Sequence, residues 1–365
     1  MFKRSLWTFS VIALVVLGAS TQAGSSPRSV SRDDSNSYRL HRLVSDQAGE
    51  AANLDPNLVN AWGLVAGPST PWWVADNGTD VSTLYDGDGN MIPLVVEVNG
   101  APTGTVFNGG SGFVVSHHGA SAPSLFLFDT ERGTIRGWNP GVPPPAPSTW
   151  AFKVADRSAE GAIYKGLAIA SGTNHDFLYA TDFHNARVDV FDENFNPVTR
   201  PGAFVDPDLP AGFAPFGIQT INNRIFVTYA MQDADAEDEV AGPGLGYVDL
   251  YSRGGTLLGR VAGGGALNAP WGLAMAPADF GEFGGDLLIG NFGDGTINAY
   301  APEASGGFEP QGALQRLRGK VLSIDGLWAL EFGNGGAAGP TNSLFFTAGP
   351  DDESHGLFGK IEAHS

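Results

Sequence analysis

Pro270-Trp271-Gly272-Leu273-Ala274-Met275 is one of six stretches in which a small or apolar residue, a variable residue and a glycine lead into an apolar run. The other copies read Ala61-Trp62-Gly63, Gly110-Ser111-Gly112, Tyr164-Lys165-Gly166, Pro215-Phe216-Gly217 and Ile324-Asp325-Gly326. Their glycines stand 49, 54, 51, 55 and 54 residues apart. A period of this size means that one supersecondary unit is stacked or arranged radially in copies.

Each unit continues alike. A first strand leaves the glycine and a short loop leads to a second, at 72–75, 125–128, 178–181, 225–228, 287–290 and 344–347. A third strand alternates in character at 81–85, 134–138, 187–191, 247–251, 296–300 and 357–361, and a fourth usually follows, as at 91–98 and 256–261. Runs of Val, Ile, Phe, Tyr, Trp and Thr broken by Gly, Asn and Asp are strand signals. Six units of four antiparallel strands predict an all-β, six-bladed β-propeller, because a solenoid would need a capping repeat and a shorter period. The sixth unit ends after its third strand, while residues 38–44 form a strand-like piece with no unit of its own. The N-terminal strand is therefore expected to complete the last blade and close the ring.

The 365 residues thus read as one domain over 38–363, preceded by two other segments. In residues 1–23, Lys3 and Arg4 precede a short apolar stretch that ends at Thr21-Gln22-Ala23. This is the pattern of a cleaved secretory signal and is too short for a comfortable membrane span. Residues 24–37, rich in Ser and Arg, read as a disordered leader. The expected location is therefore secreted or periplasmic, with no membrane insertion after cleavage. The chain has no cysteine, which excludes disulfides and thiolate metal sites, so the core alone must hold the fold. A net charge of −19 argues against nucleic acid and anionic membranes as partners.

The pattern resembles the NHL-repeat class of six-bladed propellers, through Pro270-Trp271-Gly272-Leu273-Ala274 and Ala180-Thr181-Asp182-Phe183-His184-Asn185-Ala186-Arg187-Val188. Leu58-Val59-Asn60-Ala61-Trp62-Gly63-Leu64, followed by Pro71-Trp72-Trp73-Val74-Ala75-Asp76-Asn77, is similar to an uncharacterised family of exported bacterial propellers. Members of that family often carry a C-terminal PEP-type sorting tail, and this chain stops at Ser365 without one. The resemblance spans about residues 38–363 and implies a fold, with no activity assignable to individual residues.

In a propeller the first strands line the axial channel. The residues before the six glycines, Trp62, Ser111, Lys165, Phe216, Trp271 and Asp325, are expected to ring the channel mouth. Three aromatics, a cation, an anion and a hydroxyl suit a ligand site. The competing reading is that the aromatics plug the channel as core. Asp76, Asp129 and Asp182 end successive second strands, where aspartate commonly caps a turn. His184 and His355, with Asp182 or Asp352, are the candidate ligands of a divalent metal, although no tight spacing supports them. His117 and His118 follow a first strand and are expected on the opposite face. Asp86-Gly87-Asp88-Gly89-Asn90 starts like a calcium loop but lacks its later glutamate, so a hairpin turn explains it. The acidic run 233–239 reads as a solvated insertion overhanging the mouth.

No nucleophile elbow, H-E-x-x-H or phosphate loop occurs. The favoured reading is an exported, non-catalytic binding or scaffold propeller whose mouth holds a small molecule, glycan or peptide. The alternative is a channel-mouth lyase or lactone hydrolase, metal-dependent in one form, with Lys165 or His184 as base and Asp325 as acid or metal ligand.

Overall fold

The computed structural model describes residues 36–171 and 175–364, so the expected signal segment and nearly all of the leader lie outside the described residues. Six blades surround one axis. Blade 1 comprises Ala61–Val65, Trp72–Asp76, Val81–Tyr85 and Val96–Glu97. Blade 2 comprises Pro102–Phe107, Phe126–Thr130, Thr134–Trp138 and Phe152–Asp156. Blade 3 has Tyr164–Ser171, Asp176–Asp182 and Arg187–Phe191, and its outer edge is held by the Val198 N–H donating to Val190 O at 2.8 Å. Blades 4 and 5 start with Phe213–Ile221 and Pro270–Met275 and each carry four main strands. The six inner strands touch in cyclic order, and Leu327–Phe332 of blade 6 meets Ala61–Val65 of blade 1.

Both faces of a blade are buried against neighbours, which is why the second strands are almost continuously apolar. In Leu287–Asn291, Leu287 and Ile289 pack with Phe226 and Leu250 of blade 4, while Leu288 packs with Leu327 and Phe346 of blade 6. The two-residue period of a strand divides one run between two inter-blade cores.

Ring closure follows the expectation. Tyr38–Ser45 lies antiparallel to Leu357–Ala363, with Tyr38 opposite Ala363 and Leu40 opposite Ile361. Asn36 and Ser37, expected in the leader, join the fold: Asn36 Nδ2 donates to Ala313 O at 3.1 Å, and Ser37 is buried. A chain lacking residues 36–45 would expose the edge of Leu357–Ala363, and a strand edge invites pairing between molecules. The expected result is self-association in sedimentation or light scattering beyond that of the full-length chain.

Two of the six triplets fall away from the inner strands. The inner strand of blade 2 is Pro102–Phe107, so its axial glycine is Gly104. Gly110-Ser111-Gly112 precedes an inserted hairpin, Val114–His117 with Ala120–Pro123, whose alternating residues imitate an inner strand. In blade 6 the register breaks between Leu327 and Leu330, as it does between Pro270 and Leu273 in blade 5. This aligns Leu327-Trp328-Ala329 with Pro270-Trp271-Gly272. Asp325 and Gly326 lie upstream, in the turn that enters the strand.

The shared glycines answer a close approach at the axis. A Cβ on Gly217 would stand 2.3 Å from the Trp271 carbonyl oxygen of blade 5, and one on Gly63 would stand 2.3 Å from that of Thr103. Both obstacles are backbone. Gly217→Ala is expected to cost about 1–3 kcal/mol by overpacking, read from the urea midpoint. Ala329→Gly in the equivalent place should cost about 1 kcal/mol or less.

Candidate functional site

The register places Trp62, Thr103, Lys165, Phe216, Trp271 and Trp328 at equivalent positions around one end of the channel. Ser111 and Asp325 are exposed and do not belong to this ring. Asp325 instead accepts the Asp351 N–H at 3.0 Å, and Thr103 and Trp328 take the two positions. The aromatics seal the axis. Trp328 stacks on Trp62 at 3.8 Å between centroids and on Phe292 at 4.1 Å, while Trp271 and Phe216 meet it edge-on at 6.0 and 5.9 Å. Trp62, Lys165, Phe216 and Trp328 are each at most 1% exposed, so this end is packed core.

A polar cap covers the plug. Lys165 Nζ lies 5.1 Å from the Trp62 ring centroid, 2.5 Å from Glu131 Oε1 and 3.0 Å from Asp238 Oδ1. Glu131 Oε2 accepts from Asn77 Nδ2 at 3.0 Å. Asn60 Nδ2 donates to Asn77 Oδ1 at 3.2 Å and to Glu353 Oε2 at 2.6 Å. Asn60 Oδ1 accepts the Trp328 indole N–H at 2.9 Å. Loops from several blades thus meet over the axis, on the face expected from topology. The acidic run 233–239 reaches this cap and supplies a direct partner of Lys165 through Asp238.

The electrostatics oppose Lys165 as a base. Burial pulls its pKa down, but Glu131, Glu239 and Asp238 outweigh burial and hold the ammonium above its ordinary range. Burial pushes the Glu239 carboxyl up to about 8 against the pull of Lys165, and burial likewise raises Glu353.

The candidate metal ligands have separate partners. His184 Nδ1 lies 3.2 Å from Ala236 O. His355 Nδ1 lies 2.8 Å from Asp46 Oδ2. Asp182 accepts from Asn185 Nδ2 at 2.8 Å and pairs with Arg187 at 3.1 Å, and Asp352 is exposed. Among the described residues no three His, Cys, Asp or Glu side chains lie where they could hold a metal ion.

The three aspartates near the strand ends differ in their work. Asp182 caps the turn that follows it. Asp76 accepts the Thr83 N–H across a hairpin at 3.0 Å. Asp129, one residue out of register, accepts from Thr103 Oγ1 at 2.9 Å and from the Gly104 N–H at 2.6 Å, and burial pushes it up to about 7. The segment at Asp86 is a hairpin turn, with Asp86 Oδ1 accepting the N–H groups of Asp88 and Asn90 at 2.9 Å each. His117 and His118 belong to the inserted hairpin, where His117 stacks on Phe152 at 4.0 Å.

The other end of the channel is open. A cavity of about 370 Å³ is lined by residues including Val65, Phe107, Ile169, Gln219, Thr220 and Glu331. A space of about 20 Å³ lies between this cavity and the plug, again beside Gln219 and Glu331. One layer below the ring, two residues after each axial glycine or alanine, the blades carry Val65, Val106, Ala168, Gln219, Ala274 and Glu331. Four are apolar and two are not. That mismatch is visible in the sequence, one layer away from the ring expected to bind.

Burial pushes the Glu331 carboxyl from an ordinary 4.5 up to about 8. A carboxyl raised by folding contributes stability that is intact below its unfolded pKa and is lost as pH rises through its folded one. Glu331→Gln is therefore expected to match the native chain near pH 5 and to exceed it at pH 9. The gain should be about 1 kcal/mol or more, since a tenfold change in proton affinity is worth about 1.4 kcal/mol. Thermal melts across that range check it.

Sealed at one end of its axis and open at the other, the molecule is a closed six-bladed β-propeller. The chain is 33% identical over 342 residues to the uncharacterized protein L690 of Acanthamoeba polyphaga mimivirus, covering 89% of this chain and 85% of that protein. It is equally similar to the uncharacterized protein R648 of the same virus, over 89% of this chain and 80% of that one. The chain belongs to the family of these proteins. No protein-family profile matches it. Among solved structures, a streptogramin B lyase superposes with a TM-score of 0.52 at 11% identity, over 91% of this chain and 99% of that one. A Bacteroides thetaiotaomicron protein of unknown function gives 0.56 at 10% identity, over 89% and 76%. A glucose dehydrogenase gives 0.52 at 12% identity, over 90% and 99%. At these identities the likeness is one of fold.

Proposed function

We propose that the protein is an exported, non-catalytic binding propeller whose small-molecule ligand enters the open end of the channel. One observation carries this reading. The ring expected to bind is filled by its own aromatics, and its cation is already paired, whereas the opposite end keeps a cavity of about 370 Å³. That volume lies within the usual size of small-molecule sites, which are mostly apolar with a few placed polar groups. Crystals soaked with small polar and aromatic fragments are expected to hold them against Val65, Phe107 and Gln219. Fragments found only over Lys165, or a stoichiometric metal in the purified protein, would overturn the reading.

A second reading rests on Glu239, whose raised carboxyl beside Lys165 has the character of a general acid at neutral pH. It makes the capped end a lyase or lactone-hydrolase site and requires the 233–239 loop to lift. Loss of a measured turnover in Glu239→Gln supports it. Export rests on residues 1–23. Expression with the native N-terminus in a bacterial host should give periplasmic or secreted protein beginning at Gly24, and retention in the cytosol would count against it.

A further inference from the structure

We propose that the open end of the channel binds a small organic cation, with its ammonium on Glu331 and Gln219 and its hydrocarbon body against Val65, Phe107 and Ile169. The inference rests on the binding reading above and specifies its ligand. Among the residues that line this cavity and the narrow space above it, Glu331 is the only ionisable side chain. The rest are aliphatic, aromatic, small or neutral polar, so a single acid sets the charge preference of the site.

Its neighbours do not satisfy that acid. No hydrogen bond or ion pair to the Glu331 side chain occurs among the described residues, and burial alone raises its pKa. The Gln219 side-chain amide likewise makes no hydrogen bond among them, and the Thr220 hydroxyl is buried without a partner. Asn334 on the same wall is by contrast fully engaged, donating to Gly67 O and Thr70 O and accepting from the Gly336 and Ala338 N–H groups. Glu331 and Gln219 are half-buried on the wall of one cavity, beside the buried Thr220 hydroxyl, and polar groups that share a cavity without a protein partner point to an external one. An ammonium supplies three donors and suits a carboxylate plus an amide oxygen. An acidic protein, at −19 overall, also draws cations toward its clefts.

The test uses the full chain, with benzylamine as the cation and benzyl alcohol as its neutral counterpart, titrated calorimetrically at pH 8. Benzylamine is expected to bind at one site at least tenfold more tightly than benzyl alcohol. Glu331→Gln should remove that advantage, with the fold of the variant checked by its melting curve. A crystal soaked with benzylamine should place the nitrogen at Glu331. Equal binding of the two probes overturns the cation and leaves the binding reading standing. If neither probe enters the cavity, both readings fall.

Discussion

Replacing Lys165 by methionine is expected to lower stability by about 1–3 kcal/mol, less than the loss for a fully buried pair because Glu131 is half-buried and Asp238 exposed. The side chain is 1% exposed and is the cation held by Glu131 and Asp238. Methionine keeps much of the stem that packs beside Trp62, so the loss isolates the charge. The deficit should also depend on pH. Lys165 pulls Glu239 and Glu353 down against their burial. Without it both carboxyls rise further, and a raised carboxyl loses its stabilising contribution as pH climbs. Urea unfolding at pH 5 and pH 9 should show the larger deficit at pH 9. A loss below about 1 kcal/mol, of the size seen for surface pairs, would mean that the cap is solvated.

Truncating Trp328 to alanine should cost about 3–5 kcal/mol, as large aromatic deletions in a core do. Trp328 lies between Trp62 and Phe292, touches Trp271 and Phe216 edge-on, and donates its indole N–H to Asn60. Its removal empties the axis and leaves Asn60 Oδ1 without that donor. Trp328→Phe should recover part of the packing but not the hydrogen bond. Denaturation curves for the pair separate the two contributions. The alanine variant should also admit small apolar ligands from the capped end, visible as raised melting temperatures with benzene-sized probes.

The blades were legible because their periodicity is local. Trp271 and Gly272 identify an inner strand by themselves, and Leu287, Leu288 and Ile289 declare a strand buried on both faces. Closure was legible because residues 38–44 lacked a unit. Blade 2 misled because an inserted hairpin fell where an even period placed an inner strand, while Pro102–Phe107 lay earlier. Blade 6 misled because Ala329 stands where the other blades have glycine. The partners of Lys165 were illegible: Glu131 and Asp238 come from loops far apart in sequence, and no spacing rule joins them. Glu331 could have been found, since it is a charge at a register position that most other blades fill with apolar residues.

The closing strand also fixes an order of events. Tyr38–Ser45 is among the first described segments to leave the ribosome, and Leu357–Ala363 is among the last. The early strand cannot find its partner until nearly the whole chain exists, and pairings so distant along the chain form slowly. Until then the nascent propeller is an open arc with bare strand edges at both ends, the state most prone to wrong pairing. A chain crossing a membrane N-terminus first would carry that unfinished edge across ahead of everything able to cover it.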